Sequence, residues 1–123
     1  MNEKLEQELR DYGLAMDETL ARFAGNKAML LKFLLKFKDD PNYAQLNAHL
    51  EEGNYTEAYK SSHTIKGVAA NLGLDPIRKP SSELTELMRN KQPEEVDPAQ
   101  VEEQWKELKK QYARFVEIVE TCA

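Results

Sequence analysis

The chain has 123 residues, of which 41% are hydrophobic and 32% charged, and its formal net charge is -5. This length suits one domain with one core, and no stretch approaches the roughly 20 apolar residues of a transmembrane helix, which excludes a membrane span. The acidic balance argues against nucleic acid as the main partner, because binding to a phosphate backbone needs a basic surface.

The N-terminal half is predicted to be helical, with two breaks. A short helix is expected near 2–11 and a helix or turn near 17–23, for which Asp17 offers a side-chain cap. Asn26 is predicted to cap a third helix, and Pro41 either kinks that helix or begins the next one. The apolar residues of this segment recur at helical spacing and are Met29, Leu30, Phe33, Leu34, Phe37, Leu46 and Leu50.

Two helices follow the break at Glu52-Gly53-Asn54. The first is expected from about 55 to 72, where Gly73 suits a left-handed cap. The second is predicted to have Asp75 as its cap and Pro76 at its first position. Pro80 lies inside this helix and is expected to kink it or delay its regular start.

A final long helix is predicted from Asp97-Pro98 onward. Its apolar residues alternate at spacings of four and three, a narrow seam typical of a bundle, and are Val101, Trp105, Leu108, Tyr112, Phe115 and Val119. No strand pattern appears. The sequence therefore predicts an all-α fold for residues 1–123, an antiparallel four-helix bundle with a short additional N-terminal helical segment, and places Trp105 and the Tyr and Phe side chains in its core.

Two further features narrow the class of protein. The N-terminus lacks the apolar region of a signal peptide, so a cytoplasmic location is expected. The single cysteine, Cys122, cannot form an intramolecular disulfide, and two histidines with one distant cysteine are too few for a structural zinc site. We therefore expect neither a metal nor a cofactor on this chain.

The two histidines differ in their surroundings. His49 lies on a polar face ahead of a turn and is expected to be a solvated residue at a helix end. Winding 55–72 at about 100° per residue predicts a narrow buried stripe, and His63 falls outside it. The residues of that stripe are Ala58, Ser62, Ile65, Ala69 and Leu72.

Four helical neighbours surround His63, namely Tyr59, Lys66, Gly67 and Ala70. Lys66 can place its ammonium beside a phosphoryl group added to the histidine. A glycine inside a helix costs about 1 kcal/mol relative to alanine, so Gly67 points to the close approach of another backbone. From spacing alone the alternative stays open, because an isolated His, Lys or Gly on a helix surface is usually just solvated.

Residues 62–73, SHTIKGVAANLG, resemble the signature of histidine-containing phosphotransfer (HPt) domains, which is His-x-x-Lys-Gly followed by small residues and a Leu/Ile-Gly pair. The resemblance extends, less sharply, from about residue 17 to the C-terminus. It implies a phosphorelay intermediate in which His63 accepts a phosphoryl group from the phospho-aspartate of one receiver domain and passes it to another. Such a protein is a carrier rather than an enzyme.

The same resemblance implies roles for the neighbours of His63. Lys66 would steady the phosphoryl group, Gly67 and Ala70 would let the receiver approach, and Tyr59 would form part of an apolar docking rim. The receiver would bring its own Mg²⁺. Partners are therefore expected to be receiver domains of response regulators or hybrid sensor kinases, and a monomer is expected.

Two positions depart from the family pattern. The family often carries Leu-Glu where this chain has Leu84-Thr85, and an aliphatic residue where it has Pro80. Both positions are expected to lie away from His63 and to affect the regularity of their helix. An enzyme is disfavoured, because no Gly-rich phosphate loop and no Glu-x-x-His motif is present. The alternative is a non-phosphorylated helical adaptor that binds receiver or kinase domains.

Overall fold

The computed structural model describes all 123 residues, and the regular elements are helices. They are α1 (Glu3–Tyr12), α2 (Met16–Arg22), α3 (Lys27–Phe37), α4 (Pro41–Glu51), α5 (Tyr55–Asn71), α6 (Asp75–Met88), a 3₁₀ helix (Pro93–Glu95) and α7 (Pro98–Cys122). The predicted all-α class is confirmed. None of these helices has the length and apolar character needed to cross a membrane.

The four helices α4 to α7 form the bundle. Each packs against the next along the chain, and turns of three residues reverse the chain after α4 and after α5. Aromatic side chains join α4 to α7, since the ring of Tyr43 stacks on Tyr112 with 3.9 Å between centroids and lies 5.4 Å from that of Trp105. The helix α1 packs along α7. The predicted antiparallel bundle is confirmed, with α1, α2 and α3 as its N-terminal extension.

One continuous core holds these helices together. It contains 23 buried hydrophobic residues drawn from the N-terminal extension and the bundle. The seam predicted for α7 is buried in full, and so is the stripe predicted for α5. Burial of this apolar surface is the main favourable term for the fold.

Side-chain caps begin α3 and α7, the first of them as predicted. The side chain of Asn26 accepts a hydrogen bond from the backbone N–H of Met29 at 2.9 Å. Asp97 likewise accepts one from the N–H of Ala99 at 3.0 Å. Pro41 begins a separate helix, α4, so the alternative of one kinked helix is wrong.

Two predicted caps are wrong. The helix α2 starts one residue before Asp17, whose carboxylate pairs with Arg10 at 2.9 Å instead of capping. Asp75 is the first residue of α6 rather than its cap, and its carboxylate accepts a hydrogen bond from Arg78 Nε at 3.1 Å. Both carboxylates stay in the first turn, where the helix dipole favours negative charge.

The helix α6 runs without interruption through Pro80, so the delayed start expected there is wrong. A proline removes one backbone donor, and the ring of Pro80 is buried in the bundle. Hydroxyl groups on the same helix bond to its carbonyls as well, with Ser81 Oγ donating to the oxygen of Ile77 at 2.7 Å.

The turn after α5 is anchored to the N-terminal extension. Gly73 has the predicted left-handed conformation, with φ of +70°, and Leu74 N donates to the oxygen of Ala69 at 2.9 Å. A Cβ atom at this glycine would lie 2.0 Å from Thr19 Oγ1, so the contact with α2 also requires glycine. The N–H of Ala15 donates to the oxygen of Gly73 at 2.9 Å. The C-terminal end of α5 is therefore held in place.

The two ends of the chain lie together. The side-chain amide of Asn2 caps α1 with its oxygen, which accepts from the N–H of Leu5 at 2.7 Å. Its nitrogen donates to the backbone oxygen of Cys122 at 2.7 Å. The N-terminal end of α1 is thus joined to the C-terminal end of α7.

Candidate functional site

The helix α5 exposes the residues that surround His63. His63, Gly67 and Ala70 are exposed, while Tyr59 and Lys66 are half-buried. The opposite face of the helix is buried in the bundle. The structure therefore brings all five predicted site residues to the outward face of one helix.

Tyr59 lies against the imidazole of His63. The two ring centroids are 5.8 Å apart and the ring planes differ by 15°. The phenol oxygen of Tyr59 accepts a hydrogen bond from Arg89 Nη1 at 2.8 Å, and the Arg89 guanidinium carbon lies 5.4 Å from the phenol ring centroid. Arg89 Nε in turn donates to the carboxylate of Glu86 at 3.0 and 3.2 Å. Tyr59 was expected only to form part of an apolar docking rim, but it also contacts the histidine itself.

The ammonium of Lys66 is available to bind an anion. Lys66 is one turn beyond His63 on α5, and it takes part in none of the six ion pairs of the structure. A lysine ammonium in this state can pair with a phosphoryl oxygen by a charge-assisted hydrogen bond.

Nothing within the chain requires a glycine at position 67. A Cβ atom built on Gly67 meets no atom within 4 Å. Glycine nevertheless costs a helix about 1 kcal/mol relative to alanine. Internal packing therefore does not explain why this residue is glycine.

A groove of about 1080 Å³ adjoins Gly67. It lies between α5, α3 and the start of α4, and Val68 and Asn71 line it on the α5 side. On the α3 side it is lined by Phe33 and Leu35, which are 41% and 37% exposed. Charged side chains of both signs line its border, namely Lys32 and Lys36 on α3 and Asp39 and Asp40 in the turn that follows. The groove is thus apolar with a border of mixed charge.

The prediction that Phe33 belongs to the core is wrong. Phe33 is 41% exposed and Met29 is 46% exposed, whereas Leu30, Leu34 and Phe37 on the same helix are buried. The helix α3 is apolar around more of its circumference than one core contact can cover, so a second apolar face remains in solvent. The width of that apolar arc is the signal in the sequence that could have revealed the groove.

Arg22 supports the helix that carries the site, and it was not predicted from the sequence. Its guanidinium donates to the backbone oxygens of Ala70 at 3.2 Å and Asn71 at 3.0 Å, at the C-terminal end of α5. A cation at this end satisfies free carbonyls and favours the helix dipole. Arg22 therefore steadies the last turn of the helix while leaving Ala70 exposed.

A buried group of hydroxyls pins α5 to α6 next to the site. Ser62 Oγ and Thr85 Oγ1 are 2.7 Å apart, and Ser62 Oγ donates to the oxygen of Ser81 at 3.2 Å. Ser62 precedes His63 directly in the chain. The family departure at Thr85 therefore contacts the neighbour of the histidine, closer to the site than expected.

His49 differs from its expected solvated state. It lies in the last turn of α4 and is half-buried, and its Nδ1 atom is enclosed without a hydrogen-bond partner. No group of three or more His, Cys, Asp or Glu side chains that could hold a metal ion occurs in the structure.

Comparison with protein families places this geometry in context. The family model described as Hpt domain matches residues 3–117, nearly the whole chain. The match includes the signature residues of α5 and extends into α7. The comparisons with curated proteins and with solved structures found no match.

Proposed function

Because the chain belongs to the Hpt domain family, we propose that it is a phosphorelay intermediate in which His63 carries the phosphoryl group. Histidine phosphotransfer is the activity that this family implies. The observation that carries the proposal is the outward face of α5, where an exposed imidazole lies one turn before an unpaired Lys66 and an uncovered Gly67.

The reaction is a transfer between two proteins. An unprotonated ring nitrogen of His63 attacks the phosphorus of a receiver's phospho-aspartate, and the N–P bond forms as the bond to the carboxylate oxygen breaks. The carboxylate leaves with the electron pair of that bond, and the other ring nitrogen keeps or releases its proton. Transfer to a second receiver reverses these steps. Mg²⁺ would belong to the receiver and help to neutralise the charge of the phosphoryl group.

The residues of this chain contribute position and access. Lys66 would bind a phosphoryl oxygen, and Gly67 would let the receiver backbone approach the helix. The apolar groove beside Gly67 gives the receiver a surface to bury. Most of the charge stabilisation comes from the receiver, so the chain acts as a carrier.

The test is phosphorylation by a phosphorylated receiver domain in the presence of Mg²⁺. We expect acid-labile, base-stable label on the wild type and none on His63→Gln, with the same helical circular dichroism for both. His49→Gln is the matched control and should accept label like the wild type. Label on His63→Gln would overturn the assignment. A folded wild type that binds receivers but accepts no label from any of them would support the adaptor instead.

A further inference from the structure

Tyr59 occupies a place that docking alone does not explain. Its ring lies between His63 and Arg89, which follows the last residue of α6. The C-terminal end of α6 therefore contacts the imidazole indirectly, through the ring of Tyr59. We propose that Tyr59, held by Arg89, is a positioning residue that sets the orientation of the His63 ring for phosphoryl transfer. This inference rests on the proposed function.

The guanidinium of Arg89 is oriented by a contact with α6 as well as by its contact with α5. Arg89 is the first residue after α6 and has extended backbone, with φ of -63° and ψ of 123°, and the next residue, Asn90, has φ of +52°. Its Nε is occupied by Glu86, which leaves the Nη atoms to donate elsewhere. A guanidinium has its five N–H groups in a rigid fork, so binding one edge to Glu86 directs the other edge. That edge meets Tyr59.

Tyr59 is in turn restrained at its far end. Its oxygen accepts the hydrogen bond from Arg89, and the guanidinium also lies near the ring face. An aromatic ring held at its hydroxyl cannot swing with the freedom of an exposed phenylalanine, which has no polar anchor. The phenol ring therefore forms a fixed, flat surface one helical turn before His63.

The imidazole needs such a surface because it is exposed. Exposed side chains change rotamer on the picosecond to nanosecond scale, whereas in-line transfer needs the ring nitrogen aimed at phosphorus. The phenol ring lies nearly parallel to the imidazole, with 5.8 Å between the ring centroids, and so occupies the space on one side of it. It thereby removes orientations of His63 from which no transfer is possible.

A docking role and a positioning role for Tyr59 predict different effects of its substitution on phosphoryl transfer. Tyr59→Phe retains the apolar ring that a partner would bury, and removes only the hydroxyl that Arg89 binds. Arg89→Gln removes the anchor from the other side. If positioning is correct, both variants loosen His63, and the double variant is no worse than either single one because they interrupt the same contact. Tyr55→Phe, another half-buried tyrosine on α5, is the matched control.

The experiment has two readouts on the same proteins. The first is NMR of the His63 ring protons without any partner, for which we expect changed shifts and faster ring motion in Tyr59→Phe and Arg89→Gln but not in Tyr55→Phe. The second is the transfer rate from a phosphorylated receiver, expected to fall about 5-fold in both variants at saturating receiver, with the half-saturating receiver concentration unchanged.

Two results would overturn the inference. One is an imidazole spectrum that does not change when Arg89 is replaced. The other is a higher half-saturating receiver concentration with a normal maximal rate, which would make Tyr59 a docking residue only. If no receiver phosphorylates the wild type, the proposed function fails, but the partner-free spectra still decide whether Tyr59 positions the ring.

Discussion

On the inward face of α5 packing explains each residue, whereas on the outward face several residues have no partner within the chain. Ile65 and Ala69 are fully buried, and Ser62 bonds to Thr85 across the contact with α6. On the other side, Lys66 forms no ion pair and Gly67 meets open space. The difference separates a face whose residues are accounted for by packing from one whose residues are not, and the proposed contact with a receiver would form on the second face.

The strongest test of this comparison is a cavity on the inward face. Ile65→Ala should lower the free energy of unfolding by about 2–5 kcal/mol, since a fully buried side chain is removed and the bundle can relax only in part. Chemical denaturation measures this loss. Transfer at a temperature where the variant remains folded should stay normal. Thr64→Ala on the exposed side is the control and should change stability by less than about 0.5 kcal/mol.

Gly67→Leu should move stability and transfer in opposite directions. The added side chain enters open space and leucine favours helix, so the free energy of unfolding should rise by up to about 1 kcal/mol. The same side chain obstructs the receiver, so transfer to or from it should slow about 10-fold or more. Gly67→Ala should share the gain in stability with a smaller loss of rate. Unchanged transfer in Gly67→Leu would remove this residue from the docking surface.

Lys66→Ala should affect transfer without affecting the fold. Loss of one charge-assisted hydrogen bond to the phosphoryl group predicts a several-fold slower transfer or a shorter phosphohistidine lifetime, in the range of about 1–2 kcal/mol. Lys60→Ala is the control, because Lys60 is exposed on the same helix and pairs with Glu57. Identical lifetimes and rates for both variants would exclude Lys66 from the site.

The smallest expected effect at neutral pH concerns two tyrosines outside α5, namely Tyr12 on α1 and Tyr112 on α7. Burial raises the pKa of Tyr12 and of Tyr112 above the usual value. The unfolded chain then loses these protons from about pH 10, while the folded chain keeps them, so stability should fall as the pH rises above that value. Tyr12→Phe should make this alkaline decline shallower in denaturation measured from pH 8 to 11. An equally steep decline would show that Tyr12 does not contribute to it.

Much of this architecture could be predicted from local pattern. The periodicity of α5 and α7 identified their buried faces, and Gly73 and Asn26 marked helix ends, because each depends on residues close in sequence. The caps assigned to Asp17 and Asp75 were wrong, because α2 begins at Met16 and α6 at Asp75 itself, and both carboxylates pair with arginines. The first residue of a helix and the partner of a carboxylate depend on side-chain placement, which propensity does not contain.

The parts of the site that were missed depend on distant contacts. Arg89 reaches Tyr59 across 30 residues, and Arg22 reaches Ala70 across 48. No periodicity within one helix reports a partner on another. The exposed face of α3 was missed for a different reason, since Phe33 has a helical spacing from buried residues and only the finite width of the core excludes it.

The hydrogen bond between Asn2 and the backbone of Cys122 gives the fold a closed outline, with both chain ends at one place. A short peptide joining these ends would leave the packed helices as they are, and the ring so formed could be opened in an exposed loop to give new ends. The order of the helices along the polymer is then separable from their arrangement in space. Close chain ends of this kind suit insertion of the packed helices within a loop of another chain.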